Sequence, residues 1–330
     1  MIKLLITIVT MCLIPCSVIW AEPDNVPDES LSSKSRSAVL ESDMGLLDMP
    51  GLTGDWNGNR QRLEDHGIIL EASYSGEFVR NLNPGLVSPV KRTVYHDNLD
   101  LTLTVDTEKA GLWPGGKFFI YGLRNHGGDP SANIIGDLQT ASNIEASDQF
   151  IVHEAWYEQR FLEGAVSLLV GLHDLNSEFY VSEAAGLFIN SSFGIGPEIS
   201  GNVSTSIFPK AGLGVRARLE PIKGIYLQAA VYDGDPATRS LKGSEGKMGI
   251  VEAGFSRGGG SYKAGYWRHT ADRLFGGQVF KDDFGLYGVI DQQLYKGDED
   301  QSLTAFLRYG WVPARRNDTT RYVGDRKSVV

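Results

Sequence analysis

From Ile68 to Tyr309 the chain repeats one pattern, in which apolar and polar positions alternate over stretches of about ten residues. Ile68, Leu70, Ala72, Tyr74 and Phe78 alternate with Glu71, Ser73, Ser75 and Glu77, and Leu99, Leu101, Leu103 and Val105 alternate with Asp100, Thr102, Thr104 and Asp106. The same holds for Val166 to His173, for Leu213 to Glu220 against Arg216 and Arg218, and for Ser302 to Tyr309 against Thr304 and Arg308. Period-two segments put one face against an apolar medium and the other against water, so the pattern predicts an all-β chain. About eleven strands are predicted, over 68–79, 99–107, 117–124, 150–160, 165–173, 211–220, 225–232, 248–256, 262–269, 284–292 and 302–310. Strand phase is open at 117–124 and 150–160, where either face could be outward.

A soluble β-sandwich alternates too, so the connections decide between the two architectures. Long ones (Arg80 to Asn98, Asn125 to Gln149, Asp174 to Lys210, Asp233 to Lys247, Ala271 to Asp283) interleave with short turns such as Pro114-Gly115-Gly116, Leu162-Glu163-Gly164, Pro221 to Gly224, Gly258-Gly259-Gly260 and Lys296-Gly297-Asp298. Short turns on one side and long loops on the other are what a transmembrane antiparallel β-barrel demands, and a sandwich has no reason to show them. Asp174 to Lys210, rich in Gly and Phe, is long enough to fold into the lumen or to cover its mouth.

The N-terminus changes the picture by supplying a route to a membrane. Lys3, an apolar run from Leu4 to Trp20, and Ala21 ahead of Glu22-Pro23-Asp24 predict a signal peptide over 1–21. Both cysteines, Cys12 and Cys16, lie inside it, which leaves neither a disulfide framework nor a thiolate metal site. A polar arm over 22–49 follows, and then a short helix from Asp55 to His66, with Asp55 as candidate N-cap and Gly67 as the stop. The formal net charge of -10 argues against nucleic acid as a partner. The six histidines are scattered, the Asp233-Gly234-Asp235-Pro236 turn lacks the rest of a calcium loop, and nucleophile-elbow and nucleotide-binding motifs are absent, so no cofactor, metal or catalytic residue is expected.

Several local runs resemble one family. Leu52-Thr53-Gly54-Asp55-Trp56-Asn57-Gly58 with Arg60, Leu63 and Gly67, then Glu154 to Arg160, Gly171 to Phe179, Leu187 to Gly194, and Tyr232 to Pro236 resemble the carbohydrate-selective porins of the OprB family over about residues 50–313. The resemblance implies a sixteen-stranded outer-membrane barrel of a Gram-negative bacterium, often a homotrimer, that passes glucose and other mono- or oligosaccharides inward. It also implies that the segment 50–67 lies on the periplasmic side of the pore.

A sugar pore needs hydrogen-bonding groups for hydroxyls and an aromatic face for the C–H side of the ring, held where solute binds weakly enough to leave. Arg124, Glu154, Trp156, Arg216 and Arg218 are the candidate constriction, and Glu71, Glu77, Glu158, Arg160, Glu220 and Trp267 are further lumen-facing candidates. The same charges could instead only solvate or cross-brace a polar lumen. A barrel enzyme of the outer membrane and a non-transporting glycan-binding or adhesion barrel are the alternatives. At the end of the chain, 314–330 is basic and lacks alternation, so the expectation is a tail outside the barrel 68–313 and a C-terminally truncated barrel, about five strands short of the family's sixteen.

Overall fold

In the computed structural model the described residues are 7–12, 53–82, 91–240, 243–297 and 301–329. The polar arm 22–49 and most of the export segment lie outside them. The wall is one antiparallel sheet of thirteen strands in chain order: β1 (Thr7–Cys12), β2 (Ile68–Arg80), β3 (Thr93–Asp106), β4 (Gly116–Gly127), β5 (Gln149–Phe161), β6 (Val166–His173), β7 (Gly212–Ile222), β8 (Ile225–Asp233), β9 (Lys247–Arg257), β10 (Gly260–His269), β13 (Asp283–Lys296), β14 (Ser302–Trp311) and β15 (Arg321–Val329). A separate hairpin, β11 (Arg273–Phe275) with β12 (Gln278–Phe280), turns on Gly276-Gly277 within one long loop. Among the described residues the edge strands β1 and β15 do not pair with each other.

All eleven predicted strands are present, and the outward phase carries the apolar surface that lipid requires. Leu70, Phe78, Phe118, Leu168, Val215, Leu227, Val251, Leu286 and Leu307 are exposed on it. No helix among the described residues is long and apolar enough to cross a membrane. Two expectations need correcting. First, β3 begins six residues early, at Thr93, because outward Asp97 interrupts the apolar period and hides the strand's start. Second, the tail expected over 314–330 supplies β15, paired with β14 from Leu303↔Val329 to Trp311↔Arg321. Its outward positions Arg321, Val323 and Asp325 have no apolar period; β14's open edge, not amphipathicity, recruits them. Thr7–Cys12, within the segment expected to be an export signal, runs along β2 from Thr7↔Arg80 to Cys12↔Ser75, which does not test that expectation.

The helix α1 (Asn59–Asp65) is shorter than expected, and its N-cap is Gly58. Asp55 acts from further back, where its Oδ1 accepts the Gln61 N–H at 3.3 Å. Gly67 does end the helix, with φ 74°, and its carbonyl accepts the Asp106 N–H at 2.8 Å. That bond ties α1 to the short-turn end of the barrel.

At four places inward aromatic rings lie on glycines of the neighbouring strand. Gly214 faces Tyr232, Gly254 faces Tyr226, Gly265 faces Tyr287 and Gly285 faces Trp267, each pair directly opposite in register. A Cβ at any of the four would strike the ring. Small-against-large pairing lets bulky rings lie flat along the wall, leaving room inside.

Candidate functional site

The lumen is asymmetric because the long connection after β6 folds into it. Leu175, Phe179, Tyr180, Ile195 and Ile199, the last in the short helix α2 (Pro197–Ser200), pack with wall residues Ala230, Tyr232, Met248, Ile250, Trp267, Tyr287, Val289 and Val312. The inward face of β7 to β14 is therefore covered.

One short segment of this loop, Glu178 to Ser182, runs around the wall and meets an inward polar side chain from each strand it crosses. On β7, Arg216 donates from Nη2 to Glu178 Oε1 (2.7 Å), and on β8, Gln228 Nε2 donates to the Glu178 carbonyl (3.0 Å). On β9, Glu252 Oε2 accepts the Tyr180 N–H (2.8 Å); on β10, Lys263 Nζ donates to the Val181 carbonyl (2.8 Å). On β13, Asp291 Oδ1 accepts from Ser182 Oγ (2.5 Å), and on β14, Arg308 Nη2 donates to the Tyr180 carbonyl (3.2 Å). Five buried polar groups that would be costly alone, and half-buried Lys263, thus find partners on one short segment, four of them through its backbone and two through the Glu178 and Ser182 side chains.

This belt decides what the expected site residues do. Arg216, only 2 % exposed, also donates to Glu158 Oε1 (2.9 Å) and Ser167 Oγ (2.5 Å), so it braces the loop and offers no free donor to a solute. Glu158 is held by Arg216 and by Arg160 Nε (3.1 Å). Glu154 is buried and accepts the Asp174 N–H (2.8 Å), fixing the point where the loop leaves β6. Glu77 is buried against His96 Nε2 (3.0 Å), and Trp267 is fully buried over Gly285. Arg218 remains partly open: it reaches Glu220 Oε2 (3.0 Å) and Gln228 Oε1 (3.0 Å) with its guanidinium 4.0 Å above the Tyr226 ring.

Arg124 corrects the expectation. The inward phase of β4 holds Lys117, Phe119, Tyr121, Leu123 and Asn125, whereas Arg124 pairs with exposed Phe150 on the outward phase. There it lies at the long-loop end of the strand, 3.8 Å from Asp97, which His126 Nδ1 also approaches at 3.4 Å. A charge outside the barrel is tolerated there, where the wall meets the headgroups. A bulge is the reason the phase was illegible: register shifts between Tyr121 and Gly122, leaving His153 and Glu154 both buried and inverting the alternation beyond them.

The uncovered lining lies on β2 to β6. Trp156 stacks on Phe119 with ring centroids 4.9 Å apart and 28° between planes, opposite Gly171, where a Cβ would strike the indole. Half-buried Lys117, Tyr121 and Arg160 and exposed Glu71 surround this aromatic pair on the same inward phase; Tyr121 Oη donates to Asp100 (2.6 Å) and Thr102 Oγ1 to Glu71 (3.4 Å). Sequence reasoning missed Phe119, Glu178, Glu252, Lys263, Asp291 and Arg308 as site residues. Strand phase alone could have found Glu252, Lys263, Asp291 and Arg308; Phe119 lies on a strand whose phase the bulge obscures, and Glu178 becomes legible only once the loop is known to fold inward.

A membrane-spanning antiparallel wall, apolar outside and polar within, narrowed by a loop held against its inner face, defines a porin. The family model described as "Carbohydrate-selective porin, OprB family" matches residues 91–324. The chain belongs to that family. A high-pH structure of Pseudomonas putida OprB is similar in fold, with a TM-score of 0.73 and 20% identity over 85% of this chain and 74% of that one. A low-pH structure of the same protein matches with a TM-score of 0.52 and 19% identity, over 83% and 75%. No curated protein matches. The family and the fold make the chain a channel of the outer membrane with carbohydrate as its solute class.

Proposed function

We propose that this chain carries sugars such as glucose across the outer membrane by passive facilitated diffusion, along a path on the inward face of β2 to β6. The supporting observation is the asymmetry of the lumen: the loop covers β7 to β14, and the polar lining left uncovered surrounds the stacked pair Phe119–Trp156. An indole face takes the C–H side of a pyranose, while Arg160, Lys117, Glu71 and, from the neighbouring strand β7, Arg218 meet its hydroxyls. Each contact is weak, which is what conduction requires.

In this account the segment 1–21 directs export and is cleaved after Ala21. The apolar outer wall is solvated by outer-membrane lipid, three copies associate as a homotrimer, and nucleic acid is no partner.

Trp156→Ala should raise the sugar concentration that half-blocks single-channel current about fivefold, equivalent to about 1 kcal/mol of lost ring contact. Arg124→Ala, which faces outward, should leave the block unchanged. Current block in planar bilayers reads both, and a Trp156→Ala channel with unaltered block would refute the proposed path.

A further inference from the structure

Arg308 lies fully buried on β14, and no carboxylate lies within ion-pair distance among the described residues. Both of its terminal nitrogens are held by backbone carbonyls, while Nε is buried without a hydrogen-bond partner among the described residues. Nη2 donates to the carbonyls of Tyr180 (3.2 Å) and Gly194, and Nη1 donates to those of Ser192 (3.2 Å) and Phe193 (2.6 Å). The cation sits 4.5 Å above the Tyr180 ring. Four of the five N–H donors of a planar fork are thus aimed at two stretches of one loop, Tyr180 on the limb that enters the lumen and Ser192 to Gly194 on the limb that returns. Tyr322, on β15, adds a second grip by donating to the same Ser192 carbonyl (2.7 Å).

Between the two limbs hangs a finger, Val181 to Ser191. Its residues Glu183, Ala184 and Leu187 line a chamber of about 620 Å³ at the short-turn end of the lumen, opposite Asp291 and Gln293. Phe188 packs against Phe193 and Phe306 at the finger's base (4.9 Å and 5.8 Å between centroids). Glu198, on the returning limb, is fully buried beneath Gly310, where any Cβ would strike its carboxylate; burial pushes this carboxyl above its usual range, against the opposing pull of Tyr180 and of the Arg308 charge. The returning limb is seated by the clasp and by little other polar contact with β14.

We infer that Arg308 is the positioning residue that sets the size limit of the channel. By clasping the two limbs together it fixes how much of the lumen the inward-folded loop takes up beside the β2 to β6 path, and so determines how large an oligosaccharide can pass. This rests on the channel function proposed above. A lysine cannot replace it, since an ammonium carries three donors on one point and cannot bridge carbonyls of both limbs in the plane of a fork.

The test measures single-channel conductance, and liposome swelling with a series from glucose to maltohexaose, for the full chain and for Arg308→Ala, Arg308→Lys and Tyr322→Phe. Arg308→Ala should raise conductance about twofold and flatten the fall of swelling rate with sugar length, with Arg308→Lys close to it and Tyr322→Phe intermediate. Retained heat-modifiable mobility on gels identifies an intact barrel. If Arg308→Ala does not yield one, the other two variants carry the same prediction. An intact variant barrel with unchanged conductance and unchanged size dependence overturns the clasp while leaving the channel standing. A wild-type chain that conducts nothing overturns the channel itself.

Discussion

Replacing Arg216 by alanine is expected to destabilise the barrel by about 3–5 kcal/mol, the cost of leaving buried partners of an ion-pair network uncompensated. Removing the guanidinium leaves Glu158, with its side chain 8% exposed, to Arg160 alone, takes the arginine from Glu178, at 26%, and deprives Ser167 of its donor. Urea unfolding in detergent micelles reads this as a lower midpoint at unchanged slope. Replacing all three charged residues together by apolar side chains of similar size should recover much of the loss, because most of it is the desolvation of unpaired carboxylates. If the single variant stays within about 1 kcal/mol of the wild type, Arg216 is not the brace described above. Its effect on sugar passage should follow from displacement of the loop, so altered conductance and lowered stability should appear together.

Glu252→Leu is the second large effect expected. Glu252 is fully buried at the centre of the covered half of the lumen and accepts four hydrogen bonds: from the Tyr180 N–H (2.8 Å), Tyr226 Oη (2.7 Å), Gln228 Nε2 (3.0 Å) and Tyr287 Oη (2.7 Å). Leucine keeps the volume and leaves four donors without an acceptor, at about 1–3 kcal/mol for each that finds no water, so a loss of at least about 3 kcal/mol is expected. Glu252→Gln keeps one acceptor oxygen and should lose less. The same urea experiment checks both, and equal midpoints for the leucine variant and the wild type would contradict the hub.

The fold was largely legible from alternation because a lipid-facing strand must be apolar at every second position. All eleven predicted strands exist, with ends moved by a few residues. Where the signal failed, a particular residue is responsible. Outward Asp97 hid the start of β3, the bulge at His153 and Glu154 inverted the phase that would have placed Arg124, and the charged outward positions Arg321 and Asp325 concealed β15. The candidate site was less legible. Period two marks which side chains point inward, and it did so for Glu71, Glu77, Arg216, Arg218 and Trp267, whereas over 150–160 it left the phase of Glu154, Trp156, Glu158 and Arg160 open; nor can it say what fills the space they enter. That depends on a loop without periodicity, which takes up Arg216 and Glu154 as supports and leaves Trp156 and Arg218 open to the lumen.

The family's extent carries the same lesson from another side. Its model reaches residue 324, within β15, and the segment expected to be a detached tail contributes Arg316 and Asn317 to the pins that hold the long loops together. Arg316 Nη1 donates to Asp282 Oδ1 (2.8 Å), and Asn317 Nδ2 donates to Asp283 Oδ1 (3.0 Å), while Arg268 holds Asp282 from the other side (2.7 Å). These two acidic residues keep the long loop after β10 against the chain that enters β15. The Asp282 carboxyl is held below its ordinary range by the two arginines beside it.

The most direct test of the central claim is current through planar bilayers containing the purified wild-type chain, recorded while glucose or maltose is added. A sugar channel should give discrete current steps whose amplitude falls, saturably, as sugar is added, and the fall should need more sugar in the Trp156→Ala channel. Steps indifferent to sugar, or a silent bilayer over correctly inserted protein, would contradict it.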